Sequence, residues 1–208
     1  MIKKTYRDTM TKVLLNFSCL LVLALMLGSA ACDRKKPRYE LMIFDVDSAL
    51  LEPPITDTFL NISIAAPKHW SLVEASTLER LLAQASDKIG ATLPVEPRWM
   101  FLNGASQAMC IVSRLTSAEI PTGEEALRSL EASFVSKFPQ ATVRGAVFLK
   151  DEFRVHQVMV STPEAVMIKL LLDAPTVPMF AVDYIIPRAA YEGELRAVES
   201  SIGSIKPL

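Results

Sequence analysis

Two aspartates one residue apart, Asp45 and Asp47, are the pair in this 208-residue chain best spaced for joint chemistry. On the segment Phe44-Asp45-Val46-Asp47-Ser48-Ala49-Leu50, one carboxylate could attack and the other shuttle a proton, with a divalent cation screening both charges. The only imidazoles are His69 and His156, and neither has a cysteine or carboxylate at ligand spacing. The sequence therefore predicts no metal site and no cofactor. His69, beside Trp70, is expected to cap a turn, and His156 to alternate with Arg154 and Val158 along one strand face. No nucleophile-elbow pattern is present, and seven glycines in the whole chain leave no loop to cradle a phosphate.

The Phe44–Leu50 segment resembles the first motif of haloacid-dehalogenase phosphatases, with Ser48 in place of the usual Gly and Ala49 in place of the usual Thr. The resemblance implies Asp45 as nucleophile and Asp47 as acid/base, and a lipid-anchored phosphatase is kept as an alternative reading. Downstream, however, the chain carries no paired acidic metal motif and no parallel α/β pattern, so a solvated acidic strand end is the expectation. Trp70, Trp99, Phe101, Phe134, Phe148, Phe180 and Tyr184 could line a pocket for a small apolar ligand. Each lies in or beside an apolar stripe, so core packing is expected instead.

The thiols point elsewhere. Met1 to Lys12 is basic, Val13 to Gly28 is mostly apolar, and Ser29-Ala30-Ala31-Cys32 sets small residues before a cysteine. This is the architecture of an export signal, and the apolar run is shorter than the ~20 residues a permanent membrane span needs. Ser29 to Cys32 resembles the lipobox of bacterial lipoproteins, although Ser29 stands where Leu is usual. The resemblance implies cleavage between Ala31 and Cys32, a diacylglyceryl group on the Cys32 thiol and, with a further acyl chain, stable membrane anchoring. Asp33 resembles the signal that keeps enteric lipoproteins on the inner membrane, which implies the periplasmic face of that membrane. Met10 is an alternative start, since Met10 to Cys32 alone has the proportions of such a leader.

Cleavage at that point leaves 177 of the 208 residues, enough for one domain with a core. The leader carries Lys3, Lys4, Arg7 and Lys12 against Asp8, so its loss takes the net charge from −1 to −4, which disfavours nucleic acid as a partner. The basic cluster Arg34, Lys35, Lys36 and Arg38 follows the lipid site, where it would add attraction to anionic headgroups. Of the three cysteines, only Cys110 remains in the body, in an apolar strand pattern, so it is expected to be a buried core thiol with no disulfide.

The expected organisation is a signal peptide over 1–31, a tether with a short peripheral strand (Met42 to Val46) over 32–57, and a compact domain over 58–208. Leu60, Ile62, Ile64 and Ala66 alternate as in a half-buried strand. Ser76-Thr77-Leu78-Glu79 and Thr122-Gly123-Glu124-Glu125 have capping-box spacing and open two helices, the first running to Gly90 and the second along Leu127, Leu130, Phe134 and Phe138. Trp99 to Leu102 and Ala108 to Leu115 flank Asn103-Gly104 as a hairpin. Strands are predicted over 143–150, 153–161, 166–173 and 179–186, with turns at Asp151-Glu152, Thr162-Pro163 and Pro175 that make them antiparallel neighbours. A closing helix carries the stripe Tyr191, Leu195, Val198, Ile202 and Ile205, with Glu192 and Arg196 expected to pair one turn apart.

That order predicts an α+β fold, an antiparallel β-sheet layered with helices. Together with the turn Ala66-Pro67-Lys68-His69-Trp70 and the helix Glu199-Ser200-Ser201-Ile202-Gly203-Ser204-Ile205, it resembles the PsbP-like α/β/α sandwich of DcrB-type periplasmic lipoproteins, over about Phe59 to Pro207. The resemblance implies a binding or assembly factor without catalytic machinery, acting on an envelope protein partner. A carrier of a small apolar ligand is the third reading.

Overall fold

Alternating apolar residues from Val143 onward build the centre of the molecule. The computed structural model describes residues 39–85, 95–116 and 124–208. The leader, Ala31, Cys32, Asp33 and the basic cluster lie outside the described residues, as do Ile89, Gly90, Thr122 and Gly123. In chain order the elements are β1 (Glu40–Leu41), a 3-10 turn (Ser48–Leu50), β2 (Ile55–Asp57), β3 (Ile62–Ile64), β4 (Trp70–Leu72) and α1 (Ala75–Ala85). There follow β5 (Val95–Asn103), β6 (Met109–Leu115), α2 (Glu124–Lys137), β7 (Thr142–Lys150), β8 (Phe153–Ser161), β9 (Ala165–Ala174) and β10 (Val177–Pro187). A 3-10 turn (Arg188–Ala190), α3 (Tyr191–Ser204) and β11 (Lys206–Pro207) complete the order.

Eight strands form one sheet in the order β1-β7-β8-β9-β10-β6-β5-β4, and β11-β3-β2 form a second. All named pairs are antiparallel except β1 with β7. The four-strand run is consecutive, as expected from its short turns. Asp151, at positive φ, makes the two-residue turn between β7 and β8.

Strand period two sends successive side chains to opposite faces. On one face Phe153, Val155, Ile168, Leu170, Phe180, Val182 and Tyr184 meet Ile62 and Ile64 of the small sheet, Val198 and Ile202 of α3 and Ile205 just after it. On the other, Val158, Val160, Leu171 and Ala181 meet Leu127, Leu130 and Phe134 of α2. The fold is therefore α+β, a large antiparallel sheet with helices on both faces, in one compact unit from Tyr39 to Leu208.

Several expectations are corrected. The sheet recruits chain upstream of the expected domain start at Thr58: β2 pairs with β3, and β1 pairs with β7 through Glu40 opposite Phe148 and Leu41 opposite Leu149. The upstream strand is Glu40–Leu41, the Met42 N–H adds one bond to the Leu149 carbonyl at 2.8 Å, and residues 43–47 run on outside any strand. α1 begins at Ala75, so Ser76 lies inside its first turn rather than before it. The hairpin loop spans five residues, 104–108. Asn103 Oδ1 accepts the backbone N–H groups of Ala105 and Ser106, and the positive φ falls on Gln107, not on Gly104. An aspartate-like side-chain turn at Asn103 thus overrides the two-residue turn that Asn-Gly favours. Arg196 pairs with Asp45 rather than with Glu192.

Candidate functional site

The closing helix α3 shows on one side a face of small residues, Ser200, Ser201 and Gly203, all buried. Small side chains let backbones approach closely. A Cβ at Gly203 would lie 2.6 Å from Val46 Cγ2 and 2.7 Å from Phe44 Cβ, so only glycine admits the 44–47 segment against the helix. The serines supply the polar partners that this close approach demands. Ser200 Oγ accepts the backbone N–H of Asp47 at 3.2 Å, and Ser204 Oγ accepts that of Ala65 at 2.9 Å. Ser201 Oγ donates to the Ala65 carbonyl at 2.6 Å; its one proton being spent, the Tyr184 hydroxyl donates to it at 2.8 Å. Tyr184, buried at the sheet, is thus wired through the helix to the end of β3.

Where this face meets the small sheet, a cleft of about 500 Å³ opens. Val46, Leu51, Ala65 and Gly203 give it an apolar floor, Pro53 and Pro54 a stiff wall, and Glu52, Ser63, Ser204 and Lys206 polar positions around it. Glu52 is held in place: its N–H donates to Ala66 carbonyl at 2.9 Å, and its Oε1 accepts the His69 N–H at 2.8 Å. That second bond fixes the turn in which His69 adopts φ 68°, a left-handed conformation rare for a side-chain-bearing residue.

The two aspartates alternate with the cleft-lining residues Val46 and Ser48 and are engaged locally. Asp45, highly exposed, faces Arg196 Nη2 at 3.0 Å. Asp47 caps the 3-10 turn, its Oδ1 accepting the Ala49 N–H at 3.0 Å. The antiparallel sheet differs from the parallel α/β scaffold implied by a phosphatase resemblance, and no group of three metal-ligating side chains occurs among the described residues.

The aromatic residues are core. Trp70, Phe101, Phe134, Phe148, Phe180 and Tyr184 are buried, and Trp99 packs half-buried against them. Cys110 is a buried free thiol, and its burial pushes the thiol far above its ordinary pKa. His156 lies in β8 on the α2 face, as the alternation predicted, with neither ring nitrogen hydrogen-bonded. Burial first, then the Arg154 guanidinium, lowers its pKa.

Sequence reasoning missed one polar junction. Glu194 of α3 accepts Trp70 Nε1 at 3.1 Å and Asn103 Nδ2 at 2.9 Å, tying the helix to β4 and the 103–108 loop. Its only signal was an acidic residue in a first helical turn, where a dipole preference explains it equally well.

The fold is PsbP-like. The solution structure of cyanobacterial PsbP (CyanoP) from Synechocystis sp. PCC 6803 matches with a TM-score of 0.51 at 12% sequence identity, covering 80% of this chain and 98% of that one. No family model and no curated protein matches the sequence.

Proposed function

We propose that this chain is a non-enzymatic, lipid-anchored binding or assembly factor of the bacterial cell envelope. The observation that carries the reading is the PsbP-like fold, whose large antiparallel sheet holds an apolar core and whose two best-spaced carboxylates are occupied as an ion pair and a turn cap. The export signal and the Ser29-Ala30-Ala31-Cys32 site support a lipid on Cys32, after cleavage at Ala31, and Asp33 supports retention at the periplasmic face of the inner membrane. The partner is an envelope protein, and the net negative mature chain argues against nucleic acid.

Photo-crosslinking in intact cells from an exposed position beside the cleft, such as Lys206, tests the binding role. Recovery of a specific envelope protein is expected. A co-purifying lipid or metabolite would favour the carrier reading, which the apolar floor of the cleft supports. Magnesium-dependent phosphatase activity that disappears in Asp45→Asn would overturn the non-enzymatic reading. Fatty-acid labelling tests the anchor, and Cys32→Ala is expected to abolish it.

A further inference from the structure

The edge strand β1 opens the only dense run of exposed apolar side chains among the described residues. Leu41 is 61% exposed, Met42 40%, Ile43 85% and Val46 43%, four within six positions. The other large exposed apolar residues, Phe59, Leu72, Val135 and Leu208, stand singly along the chain. Scattered apolar residues are ordinary on a protein surface, whereas four within six positions are a concentration that points to a contact.

The length of the chain before it says what that contact is. Six residues separate Cys32 from Tyr39, so a fully extended tether reaches about 25 Å from a lipid-bearing cysteine. β1 lies at one edge of the eight-stranded sheet and β4 at the other, seven strand spacings or about 34 Å away. The tether is shorter than the sheet is wide, and it enters the fold two residues before the ridge begins. A chain anchored at Cys32 therefore cannot stand on its β4 edge with β1 uppermost, and keeps β1 within reach of the bilayer. Arg34, Lys35, Lys36 and Arg38 lie along the way, matched in sign to anionic headgroups. Tyr39 adds an aromatic ring at that edge, with the Arg154 guanidinium 5.7 Å from its centroid. The acidic residues of the segment are Glu40, Asp45 and Asp47. Asp45 faces Arg196, and Asp47 is committed to its cap.

We infer that Leu41, Met42, Ile43 and Val46 dock into the headgroup layer of an anionic phospholipid surface, so that the domain rests on the membrane in a fixed orientation instead of swinging freely on its tether. This rests on the lipid at Cys32 proposed above. The ridge adds apolar contact, and the basic tether adds charge attraction, to an anchor that by itself fixes location but not orientation.

The test uses the full, lipid-modified chain in vesicles of phosphatidylethanolamine and phosphatidylglycerol. A nitroxide is attached at Ile43→Cys, or at Ser71→Cys on the far edge strand β4 as a control; Cys110 is buried and does not compete. The label at 43 is expected ~5–10 Å below the phosphates, with an oxygen-to-nickel collision ratio several-fold above that at 71. If Cys32 carries fatty acid but both labels are equally aqueous, docking is overturned and anchoring stands. A label at 43 shielded from both reagents would mean that protein, a second copy or another chain, covers the ridge, and would overturn the inference as well. Absence of fatty acid on Cys32 would overturn the anchor and, with it, the orientation.

Discussion

The ammonium of Lys150 lies 2.7 Å from the carbonyl oxygen of Ile205 and donates to it, closing the end of α3 from the neighbouring hairpin. Lysine is rarely buried, yet Lys150 is 3% exposed, at the last position of β7, with its second partner Asp151 Oδ2 at 2.8 Å. Terminal helical carbonyls lack partners within their own helix, and a cation at that end satisfies one while complementing the helix dipole.

Lys150→Met retains the aliphatic stem and strands the Ile205 carbonyl. Urea denaturation should show a loss of about 1.5–3 kcal/mol, the usual range for a hydrogen bond to a charged group. Asp151→Asn, at an exposed turn, should change stability by less than about 0.5 kcal/mol. Equal effects of the two would mean that the ion pair, not the helix end, is what Lys150 stabilises.

Gly203→Ala brings a methyl group against Phe44 Cβ and Val46. Overpacking of this kind costs about 1–3 kcal/mol, so the melting temperature should fall and the 44–47 segment should become more sensitive to protease. Gly193→Ala in the same helix meets nothing within 4 Å and should stabilise by about 0.5–1 kcal/mol through helix propensity. A neutral Gly203→Ala would show that the segment moves aside freely.

The imidazole of His156 has its pKa lowered by burial and by Arg154, so folding favours its neutral form. The unfolded chain, with a histidine pKa of about 6.5, then binds the proton more readily than the native protein. The contribution is complete above that value and is lost as pH falls through it towards the folded value. Wild type should therefore weaken between pH 8 and pH 5 more than His156→Leu, read as the shift in urea midpoint. Parallel pH dependence in both proteins would remove His156 as the cause.

Cys110 should resist a bulky thiol reagent in the native protein and react at once in denaturant. Burial and a raised pKa both withhold the thiolate, which is the reactive form. Rapid native labelling would mean that β6 opens on the labelling time scale.

Where the sequence repeats, the fold could be read from it. Leu60, Ile62, Ile64 and Ala66 are all buried as their alternation requires, and β7 to β10 follow their turn residues in order. The strands β1 and β2 have two and three residues, too few for any period to appear, and their partners are supplied by distant chain. The cleft was illegible for another reason. Its helical wall is made of serines and a glycine, which by composition read as a solvent face; only their fit against Phe44, Val46 and Ala65 reveals a packed surface. The stripe was correct at Val198, Ile202 and, just past the helix, Ile205, whereas Tyr191 and Leu195 in its first turns are half-buried. Arg196 faces Asp45, an exposed pair that the sequence did not reveal because its carboxylate comes from distant chain.

The pairing of β11 with β3 and of β1 with β7 has a consequence for the order in which the chain is made. Ile62 and Ile64 remain without their cover until α3 and β11 arrive from more than a hundred residues downstream, and the edge formed by β1 waits for β7. Such long-range closures form slowly, since the loop entropy is lost before the contacts return it. An N-terminal portion emerging from a ribosome thus lacks β7 and β11, the distant partners of β1 and β3. For the export proposed above, delayed locking of this kind would keep the chain passable until α3 and β11 had crossed.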